Sequence, residues 1–145
     1  MTRTILLAAL ALVTSLAASL SAASNADAQT TAEVQPDRVI AMYFHRTERC
    51  PTCKMMGSYS EEAVKTGFPE QLKKGTVEFK MIDYEKKENA DLAKAYKIKG
   101  PALIVAKIEA NKVKEYKDLR EIWSKVREKA EYIAYVQENV KIYAR

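Results

Sequence analysis

Cys50 and Cys53 are the only cysteines in the chain, and they stand three positions apart as Cys50-Pro51-Thr52-Cys53. Two thiols at that spacing can run a complete exchange cycle: one attacks a disulfide as the thiolate, and the other resolves the mixed disulfide that results. The attack needs a thiolate near neutral pH, which a helix start favours. There the first thiol meets backbone N–H groups that have no partner inside the helix, at the positive end of the helix dipole. Such end effects amount to about 0.3–2 kcal/mol, enough to lower a thiol pKa by roughly one unit. Arg46, Arg49 and Lys54 add to that pull, and Glu48 opposes it. Cys50 is therefore the candidate nucleophile and Cys53 the candidate resolving thiol. The cycle needs no organic cofactor.

The same pair has other uses. A permanent staple closing a loop of about four residues gains only roughly 2 kcal/mol, against about 3 for a loop of about 15 residues. A tetrahedral zinc site would be one ligand short, because the chain has a single histidine, His45. Cu(I) is the stronger competitor: soft thiolates and thioethers select it, and Met55 and Met56 follow the pair closely. A carrier of Cu(I) or arsenic(III) is thus the alternative function, although methionine on a helix more often packs a core. His45 is also a candidate proton carrier, since its unperturbed pKa lies near neutrality.

The elements that must hold the pair follow from the apolar pattern. Residues Arg38 to His45 are apolar without alternation, as in a strand covered on both faces. Cys50-Pro51-Thr52-Cys53 then opens a helix in which Met56, Tyr59 and Ala63 share a face and which Gly67 can end. Pro69 to Lys74 adds a further turn, Val77 to Tyr84 a second strand, and Asn89 caps a short helix through Tyr96. Ala102 to Lys107 and Lys112 to Lys117 are two more strands joined by a hairpin turn at Asn111, hence antiparallel. Asp118 with Glu121 resembles a capping box for one long last helix, Leu119 to about Lys141, with a stripe at Leu119, Ile122, Val126, Ala130, Ile133 and Val140. Tyr132, Tyr135 and Tyr143 with Trp123 either pack the core and its rim or form a docking face. The order strand, helix, strand, helix, strand, strand, helix predicts an α/β fold: a four-stranded mixed sheet with helices on both faces.

Ahead of this domain lies an address. Arg3 precedes an unbroken apolar run from Ile5 to Val13, and Ala26-Asp27-Ala28 places small residues where a signal peptidase reads. Residues 1–28 read as a signal peptide and 29–36 as a flexible leader, leaving 37–145 as one domain in the periplasm or outside the cell. Serine and threonine interrupt the run before it reaches the roughly 20 apolar residues of a membrane span. In the whole chain of 145 residues, 48% hydrophobic and 30% charged, composition excludes a disordered or collagen-like protein. The net charge of +5 comes from interleaved signs, which reads as a solvated surface and argues against a nucleic-acid arm. Contact of the lysine-rich face with acidic lipid or protein is the open alternative.

An apolar strand, Cys50-Pro51-Thr52-Cys53 at a helix start and Gly100-Pro101 before the third strand together resemble the thioredoxin superfamily over residues 37–145. The resemblance implies a thioredoxin-like thiol–disulfide oxidoreductase. It also implies that Pro101 is cis, lies beside the cysteines and presents backbone to an extended substrate, against the plain reading of a trans proline at a strand start. The chain departs from typical thioredoxins in having Arg49 where they have tryptophan, no glycine between the cysteines, and no carboxylate from Val39 to Phe44. Proton transfer to Cys53 therefore has no inherited group. Tyr43-Phe44-His45, Arg49-Cys50-Pro51-Thr52-Cys53 and Glu62-Ala63-Val64-Lys65-Thr66-Gly67-Phe68 further resemble the exported thioredoxin-like subunit family of nitrophenyl-compound nitroreductase systems. That resemblance implies electron transfer with a redox partner protein or a membrane electron donor.

Overall fold

A strand whose side chains are apolar on both faces must be covered twice, and the sheet is built around one. The structure, a computed structural model, describes residues 36–145, so the signal segment and all but the last residue of the leader lie outside the described residues. Strand β1 (Arg38–His45) is buried from Val39 to Phe44. It pairs in parallel with β2 (Val77–Asp83) and antiparallel with β3 (Ala102–Glu109), which pairs antiparallel with β4 (Lys112–Asp118), giving the order β2-β1-β3-β4.

The alternation of β1 divides the core in two. Val39, Ala41 and Tyr43 face a large cluster with Met56, Ala63 and Val64 of α1 (Pro51–Gly67) and Phe68, which leads into α2 (Pro69–Lys74). Ile40, Met42 and Phe44 face a smaller cluster closed by Tyr96, which follows a 3-10 turn (Lys87–Asn89) and α3 (Ala90–Ala95). Helices thus cover both faces, and the architecture is the expected four-stranded mixed sheet with helices on both sides. Among the described residues no helix is long and apolar enough to cross a membrane.

The chain after β4 differs from the sequence expectation. In place of one long helix there are two, α4 (Ile122–Lys125) and α5 (Lys129–Tyr143), separated where Glu128 takes φ −114° and ψ 88°. One straight stripe would have buried Ala130 and left Tyr132 outside; the break exposes Ala130 and buries Tyr132 completely. Tyr132 offers far more apolar surface, and its hydroxyl is satisfied between Ser60 Oγ at 2.8 Å and the Met56 carbonyl at 3.0 Å. Tyr135 and Tyr143 pack against the same cluster, so these tyrosines are core and rim. The capping box does not form: Asp118 ends β4 and its carboxylate accepts from Arg120 Nε at 3.0 Å. Asn89 likewise does not cap with its side chain, which instead donates to the Asp83 carbonyl at 2.8 Å.

Candidate functional site

Cys50 is the N-cap of α1, and Pro51 occupies the first helical position, where its missing N–H costs no bond. The Cys50 backbone (φ −64°, ψ 158°) turns its sulfur back over the helix start, where Sγ accepts from the Cys53 amide at 3.1 Å. An amide that points at sulfur favours its anionic form. Cys50 and Cys53 are joined as a disulfide with Cα atoms 5.1 Å apart. Cys50 is exposed and Cys53 is 7% exposed, so Cys50 is the more open of the two to an incoming group.

Two sets of contacts hold this turn in place. From below, the buried Tyr43 hydroxyl donates to the Cys53 carbonyl at 2.8 Å. Burial pushes the Tyr43 phenol up to about 12, against the pull of the Arg49 guanidinium. The ring can lie this close because Gly57 has no side chain: a Cβ there would stand 3.0 Å from Tyr43 Cε1. From the side, the loop between β1 and α1 is clipped to the end of β2. Arg46 Nε donates to the Tyr84 hydroxyl at 2.9 Å, Thr47 Oγ1 to Asp83 Oδ2 at 2.7 Å, and the Thr47 amide to Glu85 Oε2 at 3.0 Å. The Thr47 hydroxyl holds the Asp83 carboxyl below its usual range.

Cys50 and Cys53 line a groove of about 280 Å³ with Pro101, Arg49, Glu48 and Trp123. The structure thus brings Pro101 beside the cysteine pair, across more than forty residues of sequence. It corrects one expectation: among the described residues no peptide bond is cis, so Pro101 is trans, the isomer an X–Pro bond prefers by about 0.5–1 kcal/mol. The Pro101 carbonyl accepts from Trp123 Nε1 at 3.3 Å.

Trp123 is the site residue that the sequence reading assigned elsewhere, to the aromatic side chains of the last helix. Its signal was in the hairpin. A two-residue turn at Ala110 and Asn111, both in the left-handed region (φ 49° and 62°), sets a register that pairs Ile104 with Asp118. The residues just after Asp118 must then return beside those just before Ile104, and the Leu119 amide donates to the Leu103 carbonyl at 2.8 Å. Trp123, 48% exposed, follows one turn later over Pro101.

Other candidates lie apart from the sulfurs. His45, at the end of β1 opposite Asp83, has Nδ1 2.8 Å from the Arg46 carbonyl oxygen and does not line the groove. Met56 is fully buried in the larger core, while Met55 is exposed. Among the described residues no group of three or more His, Cys, Asp or Glu side chains is placed to hold a metal ion. One exposed and one largely buried cysteine, joined at a helix start beside Pro101, form an arrangement suited to thiol–disulfide exchange.

No family model matches the chain, and no curated protein matches it. Among solved structures it is similar to the thioredoxin of Fasciola hepatica, with 21% identity over 73% of this chain and 81% of that one and a TM-score of 0.43. It is also similar to a thioredoxin from Thermus thermophilus, with 20% identity over 62% of this chain and 72% of that one and a TM-score of 0.39.

Proposed function

We propose that the protein is an exported thiol–disulfide oxidoreductase that passes electrons between a redox partner and a reductase system through Cys50 and Cys53. The observation that carries this reading is the inequality of the two sulfurs: Cys50 exposed at the helix start and Cys53 shielded behind it. In the reducing direction the Cys50 thiolate attacks a substrate disulfide, forms a mixed disulfide and releases one substrate thiolate. Cys53, after losing its proton to solvent water, attacks Cys50 Sγ and releases the second substrate thiolate. One protein dithiol becomes a disulfide and one substrate disulfide becomes two thiols. Pro101 and Trp123 form the wall against which the substrate chain lies.

The direction of flow is set by how far the fold stabilises the thiolate, and the reduction potential measures it. Equilibration in glutathione and dithiothreitol buffers, followed by thiol trapping, reads it directly. A value near about −270 mV marks a reductase and one near about −120 mV a disulfide donor. Electron donation to a reductase expects the low end. Cys50→Ser retaining full exchange activity would overturn the reading. Export is checked separately, by recovery from the periplasm or medium of a protein that begins at Gln29.

A further inference from the structure

The groove beside the sulfurs does not end at Pro101 and Trp123. The same two residues also line a larger cavity of about 470 Å³, together with Tyr96, Lys97, Lys99 and Arg120. The two spaces have Pro101 and Trp123 in common and are together called the trough. Its charge is one-sided. Arg46, Arg49, Lys97, Lys99 and Arg120 line it against Glu48 and Asp118. Part of that charge is already engaged: Arg120 pairs with Asp118 at 3.0 Å, and Arg46 lies 3.8 Å from Glu85. Lys97 and Lys99 have no ion-pair partner among the described residues, and Arg49 Nη1 is shielded from solvent without a hydrogen-bond acceptor.

Lys97 carries a second signal. It follows α3 in the left-handed conformation, φ 55°, where its amide donates to the Lys94 carbonyl at 3.0 Å. Glycine is the usual residue in that position and lysine is strained there. The residue at the trough is thus one whose backbone would favour glycine and whose side chain supplies charge.

We infer that the trough holds an acidic, extended segment of the partner protein, placing the cysteine of that segment over Cys50. The inference rests on the exchange reading above. Apolar walls at Pro101, Ile98 and Trp123 take the body of the chain, and the cations on both sides of Trp123 select carboxylates that flank the reacting cysteine. The overall charge of +5 steers such a partner toward the molecule, and the trough reads where its carboxylates fall.

The test uses the protein reduced with dithiothreitol and desalted, and three synthetic peptides. Each peptide has one cysteine blocked as a mixed disulfide with 2-mercaptoethanol and flanked by glutamate, glutamine or lysine. Exchange oxidises the protein dithiol to the disulfide and releases peptide thiol and 2-mercaptoethanol, which chromatography quantifies. At low salt the glutamate peptide should react about tenfold faster than the glutamine peptide and the lysine peptide slowest, with the spread collapsing near about 1 M salt, where screening acts over about 3 Å. The double variant Lys97→Gly, Lys99→Gln should reduce the glutamate-to-glutamine ratio to within about twofold; its first substitution relieves backbone strain, so loss of folding does not explain the result. Equal rates for the three peptides, or a glutamate preference undiminished in the double variant, would overturn the inference and leave the exchange reading standing. Absence of reaction with all three would remove the exchange reading and the inference with it.

Discussion

Replacing Tyr43 by phenylalanine should destabilise the protein near neutral pH and stabilise it at high pH, with the two stability profiles crossing. The neutral cost is the hydrogen bond from the Tyr43 hydroxyl to the Cys53 carbonyl, 2.8 Å long and buried. Phenylalanine leaves no stranded donor, and the carbonyl stays within reach of the α1 amide four residues on. The loss is then that of one ordinary hydrogen bond, about 1 kcal/mol. The alkaline gain follows from ionisation. A tyrosine phenol ordinarily titrates at 10.0, and that of Tyr43 at about 12 in the fold, where burial disfavours the anion. A raised folded pKa means that this contribution is complete below about pH 10 and is lost as pH climbs through about 12. At about 1.4 kcal/mol per unit, the parent loses roughly that much by about pH 11 and somewhat over 2 kcal/mol by about pH 12. The phenylalanine variant loses none of it, so the profiles should cross near pH 11. Urea unfolding of both oxidised proteins at intervals between about pH 8 and pH 11.5 measures this. Profiles that stay parallel across that range would refute the argument that Tyr43 is held neutral beneath the cysteine turn.

Other outcomes follow from the same geometry. Cys53→Ser should accumulate a mixed disulfide between Cys50 and its substrate, visible by mass spectrometry, whereas Cys50→Ser should form none, because Cys53 is shielded. Arg49→Gln should slow alkylation of Cys50 in the reduced protein near neutral pH by about three- to tenfold, since it removes a cation from the groove that Cys50 lines. Gly57→Ala should cost about 1–3 kcal/mol in thermal or urea unfolding, because the new Cβ meets the Tyr43 ring and Met81 Cε at 3.0 and 2.8 Å; Gly100→Ala, with open space around it, should cost far less. Trp123→Phe keeps a large ring but removes the 3.3 Å bond to the Pro101 carbonyl, and should raise KM for a peptide disulfide more than it lowers kcat.

The sheet was legible because its signals are local. The unalternating run Val39 to Phe44, the proline at the start of α1 and the turn at Ala110-Asn111 each constrain the backbone where they stand. The cysteine pair was legible for the same reason, since its spacing and the helix start are adjacent in sequence. What escaped depends on distant contacts. The break between α4 and α5 has no glycine or proline to announce it; it exists because Tyr132 reaches Ser60 and Met56 on another helix. Trp123 and the clip of Thr47 to Asp83 and Glu85 join segments about twenty to forty residues apart, which no periodicity records. The trans bond before Pro101 departs from what the family resemblance implied and agrees with the plain reading of a proline at a strand start.

The β3–β4 hairpin also sets a length. Lys107 pairs with Glu115 but Ile108 pairs with Val113, so Lys114 is an extra residue on the outer strand. Because side chains alternate along a strand, that one residue decides which face Tyr116 presents to the Tyr96 ring, at 4.9 Å between centroids, and how far along β3 the chain has travelled when Asp118 ends the pairing. The bulge is a calibrated spacer for the opposite end of the molecule. A regular ladder that kept Lys114 and paired it with Lys107 would shift the return of the chain by one residue and carry Arg120 and Trp123 out of step with Pro101, whereas deleting Lys114 would remove the bulge and keep every other pairing. Diversity in what such a protein grips can therefore arise from whether an exposed hairpin bulges or pairs one residue, with no change at the sulfurs.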